Sequence, residues 1–154
     1  MKITLIAVGR VRGTLVEAVR DYEERAGRYW KLQTIEVDAG AGGKDEPEAV
    51  RKAEEERILA RLPQQADLVA LTRTGQPVGS RAFATYLEDH ALHGRDVAFV
   101  IGGAYGLGPA LLGRARQMTL SAMTFPHELA RLLLAEQLYR AGTILRGEPY
   151  HKGP

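Results

Sequence analysis

Apolar and polar positions along the chain fall into two alternating kinds of run. "KITLIAV" (residues 2–8) is almost unbroken apolar sequence, which predicts a strand covered on both faces. "TLVEAVRDYEERAGRYW" then places Leu15, Val19, Tyr22 and Ala26 on one helical face, with Thr14 and Glu17 at the spacing of a capping box. Residues 32–39 alternate as a second strand. "GAGGKDEP" (40–47) reads as a loop whose proline suits the first turn of a helix running on toward Pro63. A third strand is predicted over 66–72, followed by the turn "RTGQPVG" and a helix from Ser80 to about Gly94. "DVAFVIGG" is the fourth strand and 117–123 the fifth. A closing helix begins at Pro126 with an apolar stripe through Leu129, Leu132, Leu133, Leu138 and Ala141.

Buried strands separated by helices predict an α/β fold with a parallel sheet covered on both sides, in which ligands collect beyond the carboxyl ends of strands. The 154 residues suit one domain, 1–154. With no cysteine, disulfides, thiolate metal sites and cysteine nucleophiles are excluded, and no metal-ligand cluster is visible. The opening apolar run is too short for a signal peptide or membrane span, so a cytoplasmic protein without membrane association is expected. Net charge is only +2. Residues 36–67 hold nine acids and five bases, a net of −4, which leaves +6 on the rest and permits a basic face for a polyanion.

Chemistry enters at "FVIGGAYGLGPAL", where an apolar strand breaks into Gly102, Gly103, Gly106 and Gly108. A dinucleotide loop is excluded by spacing, since Gly103, Gly106 and Gly108 form GxxGxG and follow the fourth strand rather than the first. A P-loop lacks its GKS or GKT ending. The turn alone is equally a tight strand-to-helix connection.

Further residues decide more. "FVIGGAYGL", "LSAMTFPHELARLLLAEQLYRA" (120–141), the tail "PYHKGP", the opening "ITLIAVGR", "GGK" at 42–44 and "GRDVAFVIGG" together resemble the RlmH family of SPOUT methyltransferases, from one end of the chain to the other. The resemblance implies a SPOUT-type parallel sheet flanked by helices with a deep C-terminal trefoil knot, an arrangement that general topology rules disfavour. It also implies a homodimer packed through the knot. The implied activity is transfer of a methyl group from S-adenosyl-L-methionine to N3 of a pseudouridine in 23S rRNA of the assembled 70S ribosome. A catalytically silent RNA-binding module on the same fold is the alternative.

Carried over by position, the resemblance puts the cofactor against Leu71, Gly103, Leu120, Ser121, Ala122, Met123, Thr124 and Phe125. It makes His151, Tyr150 and Arg140 the catalytic candidates. His127, next to the start of a helix, is the weaker histidine because a helix amino end disfavours imidazolium. Arg131, Arg140, Lys44, Arg10, Arg12 and Lys152 are candidates for RNA phosphates.

Overall fold

The computed structural model describes residues 1–43 and 46–153, so Lys44 lies outside the described residues. Five strands, β1 (Lys2–Val8), β2 (Lys31–Val37), β3 (Asp67–Pro77), β4 (Val97–Ile101) and β5 (Arg116–Thr119), form one sheet in the order β2-β1-β4-β3-β5. Every pairing is parallel. The helices are α1 (Val16–Ala26), α2 (Pro47–Leu59), α3 (Ser80–Leu92), the single turn α4 (Pro109–Leu112) and α5 (His127–Leu145).

The alternation within β1 sorts the two cores. Ile3, Leu5 and Ala7 join Val97, Phe99 and Ile101 of β4 on the face covered by α1, α3 and α5. Ile6 and Val8 join Val100 on the other face, under Ile58 of α2 and Leu111 of α4. Period-2 strands packed on both sides explain why β1 and β4 read as unbroken apolar runs.

Several local expectations change. Thr14 falls in a single 3-10 turn (Gly13–Leu15), and Leu15 rather than Thr14 is the N-cap of α1 with no side-chain cap bond, so the capping box does not form. The third strand continues past Thr72 through the expected turn to Pro77. It does so with a four-residue bulge, because Met118 of β5 registers with Leu71 before the bulge and with Gln76 after it. β5 ends at Thr119, so residues 120–126 are its exit loop rather than strand.

On α5 the buried apolar residues are Ala130, Leu134, Ala135, Leu138 and Ala141, whereas Leu129, Leu132 and Leu133 of the expected stripe are only half-buried. The buried face also carries Arg131, 7% exposed, whose Nε donates to Glu23 at 2.7 Å and whose Nη1 lies 3.3 Å from Glu36. Burial opposes its charge, but the Glu23 hydrogen bond and both carboxylates more than offset this and hold the guanidinium above its usual range. Arg131 therefore ties α5 to α1 and β2 and is not free for RNA.

Candidate active site

Segments of three neighbouring strands, β4, β3 and β5, converge on one cleft of about 500 Å³. Its walls are the bulged stretch of β3 at Leu71–Thr74, the glycine turn after β4, and the exit loop of β5. A volume in this range suits a nucleoside-sized ligand, and the walls combine apolar side chains with open backbone. Of the residues assigned to the cofactor, Leu71, Gly103, Leu120, Ser121, Met123, Thr124 and Phe125 line the cleft, while Ala122 faces an adjoining surface groove.

The exit loop is shaped by its own side chains. Thr119 Oγ1 donates to the Ser121 carbonyl at 2.6 Å and accepts from the Ser121 amide, and Ser121 Oγ accepts from the Met123 amide at 3.0 Å. Such short side-chain-to-backbone bonds replace strand pairing and turn the chain away from the sheet.

The glycine turn is braced from beneath by two acids of α2 that the sequence reading did not single out. Glu54, 3% exposed, accepts from the Gly40 amide at 2.9 Å through Oε2, and its Oε1 has no partner among the described residues. A Cβ at Gly103 would come 2.7 Å from that Oε1 and 3.1 Å from Val8. Gly103 thus presents backbone to the cleft while its missing side chain makes room for Glu54, not for a ligand. Glu55 accepts from the Leu111 amide at 3.0 Å, capping α4, and its carboxylate occupies the space a Cβ at Gly108 would need. Only Gly106 in this turn has a positive φ, +77°. Glu55→Ala should strand the buried Leu111 amide and cost about 1–2 kcal/mol, read as a lower denaturation midpoint; an unchanged midpoint would remove the cap from the account.

The signal for Glu54 was present in the spacing. It stands four residues after Val50 and four before Ile58, on the buried face of α2, inside a charge run that otherwise reads as a solvated surface.

His127 reaches the cleft as the first residue of α5, its ring packed over Gly9 after β1. Gly9 has φ +88°, and a Cβ there would meet the ring at 2.8 Å. His127 therefore packs against the β1 exit and borders the site as well.

The other catalytic candidates are gathered elsewhere. Arg140 donates to Glu136 through Nε at 3.0 Å and Nη2 at 2.6 Å, and the Tyr150 hydroxyl donates to the same carboxylate at 3.0 Å. Burial, then hydrogen bonds to Tyr22 and Glu136, push the Tyr150 hydroxyl far above its ordinary pKa, so it remains a proton donor. His151 Nδ1 lies 3.4 Å from Thr143 Oγ1. None of the three lines the cleft of its own chain. Arg140 stands 13 positions along α5 from His127, about 20 Å at the rise of an α-helix. Among the described residues no cluster of three or more potential metal ligands occurs, and no helix is long and apolar enough to cross a membrane.

This sheet order, with a glycine turn and an exit loop walling one cleft, is that of a SPOUT-class methyltransferase. A family model described as "Predicted SPOUT methyltransferase" matches residues 1–151. The fold is shared with a probable methylase family protein from Haemophilus influenzae, with a TM-score of 0.56 at 14% identity over 98% of this chain and 70% of that one. TrmJ from Zymomonas mobilis gives 0.53 at 16% identity, over 100% and 73%. Full-length relatives narrow the assignment. The chain is 51% identical to the ribosomal RNA large subunit methyltransferase H of Gemmatimonas aurantiaca, over 99% of this chain and 100% of the relative. It is 46% identical to that of an Anaeromyxobacter species with the same coverage. The chain belongs to the ribosomal RNA large subunit methyltransferase H family.

Proposed function

We propose that this protein transfers a methyl group from S-adenosyl-L-methionine to N3 of a pseudouridine in 23S rRNA, acting as a homodimer on the assembled 70S ribosome. The observation that carries the reading is the convergence of Leu71, Gly103, Leu120, Ser121 and residues 123–125 on one cleft in a chain that matches this family from end to end. When bound, the cofactor supplies a methyl group on a positively charged sulfonium. The residues present suit it: the turn at Gly103 presents main chain to the cleft, and Leu71, Leu120 and Phe125 offer an apolar slot for an adenine.

Methyl transfer is an in-line displacement. The S–CH3 bond breaks as the N3–CH3 bond forms, and the imide N3 must first lose its proton. Holding both reactants in line supplies much of the acceleration, on the order of 7 kcal/mol in well-oriented systems. For the proton, His151 offers an imidazole nitrogen able to accept it, whereas Tyr150 is held protonated. Because His151 lies along α5 away from its own cleft, a second copy is required to bring a tail over it. The half-buried Leu129, Leu132 and Leu133 supply an apolar surface for that copy. The bulge of β3 around β5, with Gly75 against Met118, is in keeping with the trefoil knot of the family fold.

Incubating the protein and labelled cofactor with ribosomes lacking the modification, then mapping the label by mass spectrometry, tests the reading; label on another nucleotide, or none, defeats it. His151→Ala is expected to slow transfer at least tenfold with cofactor affinity unchanged by calorimetry. Co-expressing His151→Ala with Gly103→Val should recover activity through mixed dimers that hold one intact site. No recovery would mean that each tail serves its own cleft.

A further inference from the structure

We propose that Tyr105 is a stacking platform for a nucleobase of the RNA substrate, facing Met123 across the mouth of the cleft, with Arg73, Arg10 and Arg12 set around that mouth for neighbouring phosphates. This rests on the RNA-methylation reading above and names how the same cleft takes its macromolecular substrate.

Among the described residues three large hydrophobic side chains are exposed: Leu92, Tyr105 (43%) and Met123 (73%). Two of the three stand on opposite walls of the one cleft already described, Tyr105 in the turn after β4 and Met123 in the loop after β5, with the β3 bulge between them. An exposed aromatic and an exposed thioether flanking a concave site form a surface for a flat apolar face. A base presented for chemistry on its ring must leave the stack of its strand, and an aromatic platform compensates the lost stacking whatever the base identity.

Tyr105 is held stiffly enough for this. It sits in a turn closed by a bridge between Gly103 and Gly106, with the Gly106 amide donating to the Gly103 carbonyl at 3.1 Å. Its own ring and hydroxyl have no partner among the described residues. A two-torsion aromatic on a fixed turn loses little entropy when a base lands on it.

The charges agree with an anionic partner. Among the described residues no Asp or Glu lines the cleft, whose ionisable residues are Arg73, Tyr105 and His127. Arg73 is exposed on the β3 wall. Arg10 and Arg12 are exposed in the loop that leaves β1 directly after Gly9, the residue packed on His127. None of these three arginines makes an ion pair among the described residues, unlike Arg131 and Arg140.

The test uses the whole protein, a fluorescein-labelled single-stranded oligoribonucleotide covering the target loop, and ribosomes lacking the modification. Tyr105→Ala is expected to weaken oligonucleotide binding by about 5- to 100-fold and to raise KM on ribosomes, while Tyr105→Phe keeps both. Cofactor affinity by calorimetry should not change. Tyr105→Trp should bind at least as well, and its indole emission should be quenched on adding RNA over the constant background of buried Trp30. Arg73→Ala should lower the salt dependence of binding by about 0.7 in log–log slope. Leu92→Ala, on the exposed end of α3, serves as the neutral control. If Tyr105→Ala binds RNA within twofold of the unaltered protein, the platform is wrong even where methylation proceeds. If Tyr105→Ala loses RNA binding but the unaltered protein methylates nothing, the platform stands and the enzymatic reading fails.

Discussion

Gly103→Val should abolish cofactor binding and lower stability together, by about 3 kcal/mol. The two losses share one cause. A side chain at 103 points away from the cleft, toward Glu54 at 2.7 Å and Val8 at 3.1 Å. A flexible carboxylate on the surface would swing aside. Glu54 is 3% exposed and holds the Gly40 amide, so moving it breaks that bond and leaves a buried polar group without its partner. The glycine turn is then pushed into the cleft, closing the space where Gly103 would present its backbone. Calorimetry with S-adenosyl-L-methionine reads the binding, and thermal unfolding reads the stability. Adding Glu54→Ala to Gly103→Val should restore part of the stability, because the overlap is with that carboxylate. A variant that keeps full stability yet loses binding would mean that the side chain meets the ligand directly, and the bracing role of α2 would be wrong.

This result separates what the sequence could disclose from what it could not. The parallel α/β sheet was legible because β1 and β4 are covered on both faces and carry no periodic polar interruption. Two cleft walls were legible because the glycine turn and the β5 exit loop each follow a strand and match a family motif, whereas the third lies within β3 and was placed by position alone. The extension of β3 was not legible, since residues 72–77 have the composition of a turn and are carried into the strand only because Gln76 and Pro77 pair with β5 beyond the bulge. Long-range pairing overrode local propensity there. The stripe on α5 was misplaced for a related reason. A helix of leucines on several faces does not declare which face the chain itself buries, and the buried face proved to include Ala130, Ala135 and an ion-paired Arg131. The tail illustrates the reverse case. "PYHK" was recognised by resemblance, but its distance from the cleft depends on how α5 is laid across the sheet, which no spacing rule contains.

Gly75→Ala is expected to be the most damaging single methyl group that can be added near the site, at about 4 kcal/mol or more. The Cβ would lie 2.5 Å from the Met118 carbonyl carbon, 2.6 Å from its nitrogen and 2.8 Å from the Gln117 carbonyl carbon. All three are backbone atoms of β5, so no rotamer change relieves the overlap. Gly75 closes the β3 bulge over Met118, and β5 leads within a few residues into the loop that forms the third wall of the cleft. Separating the two strands therefore removes edge pairing from the sheet and displaces residues 120–125 together. Chemical denaturation should show a large drop in midpoint, and cofactor binding should be lost even where folded protein remains. Gly79→Ala, a few residues on at the N-cap of α3, adds the same methyl group with nothing within 4 Å and serves as the matched control. Equal stability of the two variants would show that β3 does not close tightly over β5, and with it would go the argument that the bulge fixes the exit loop.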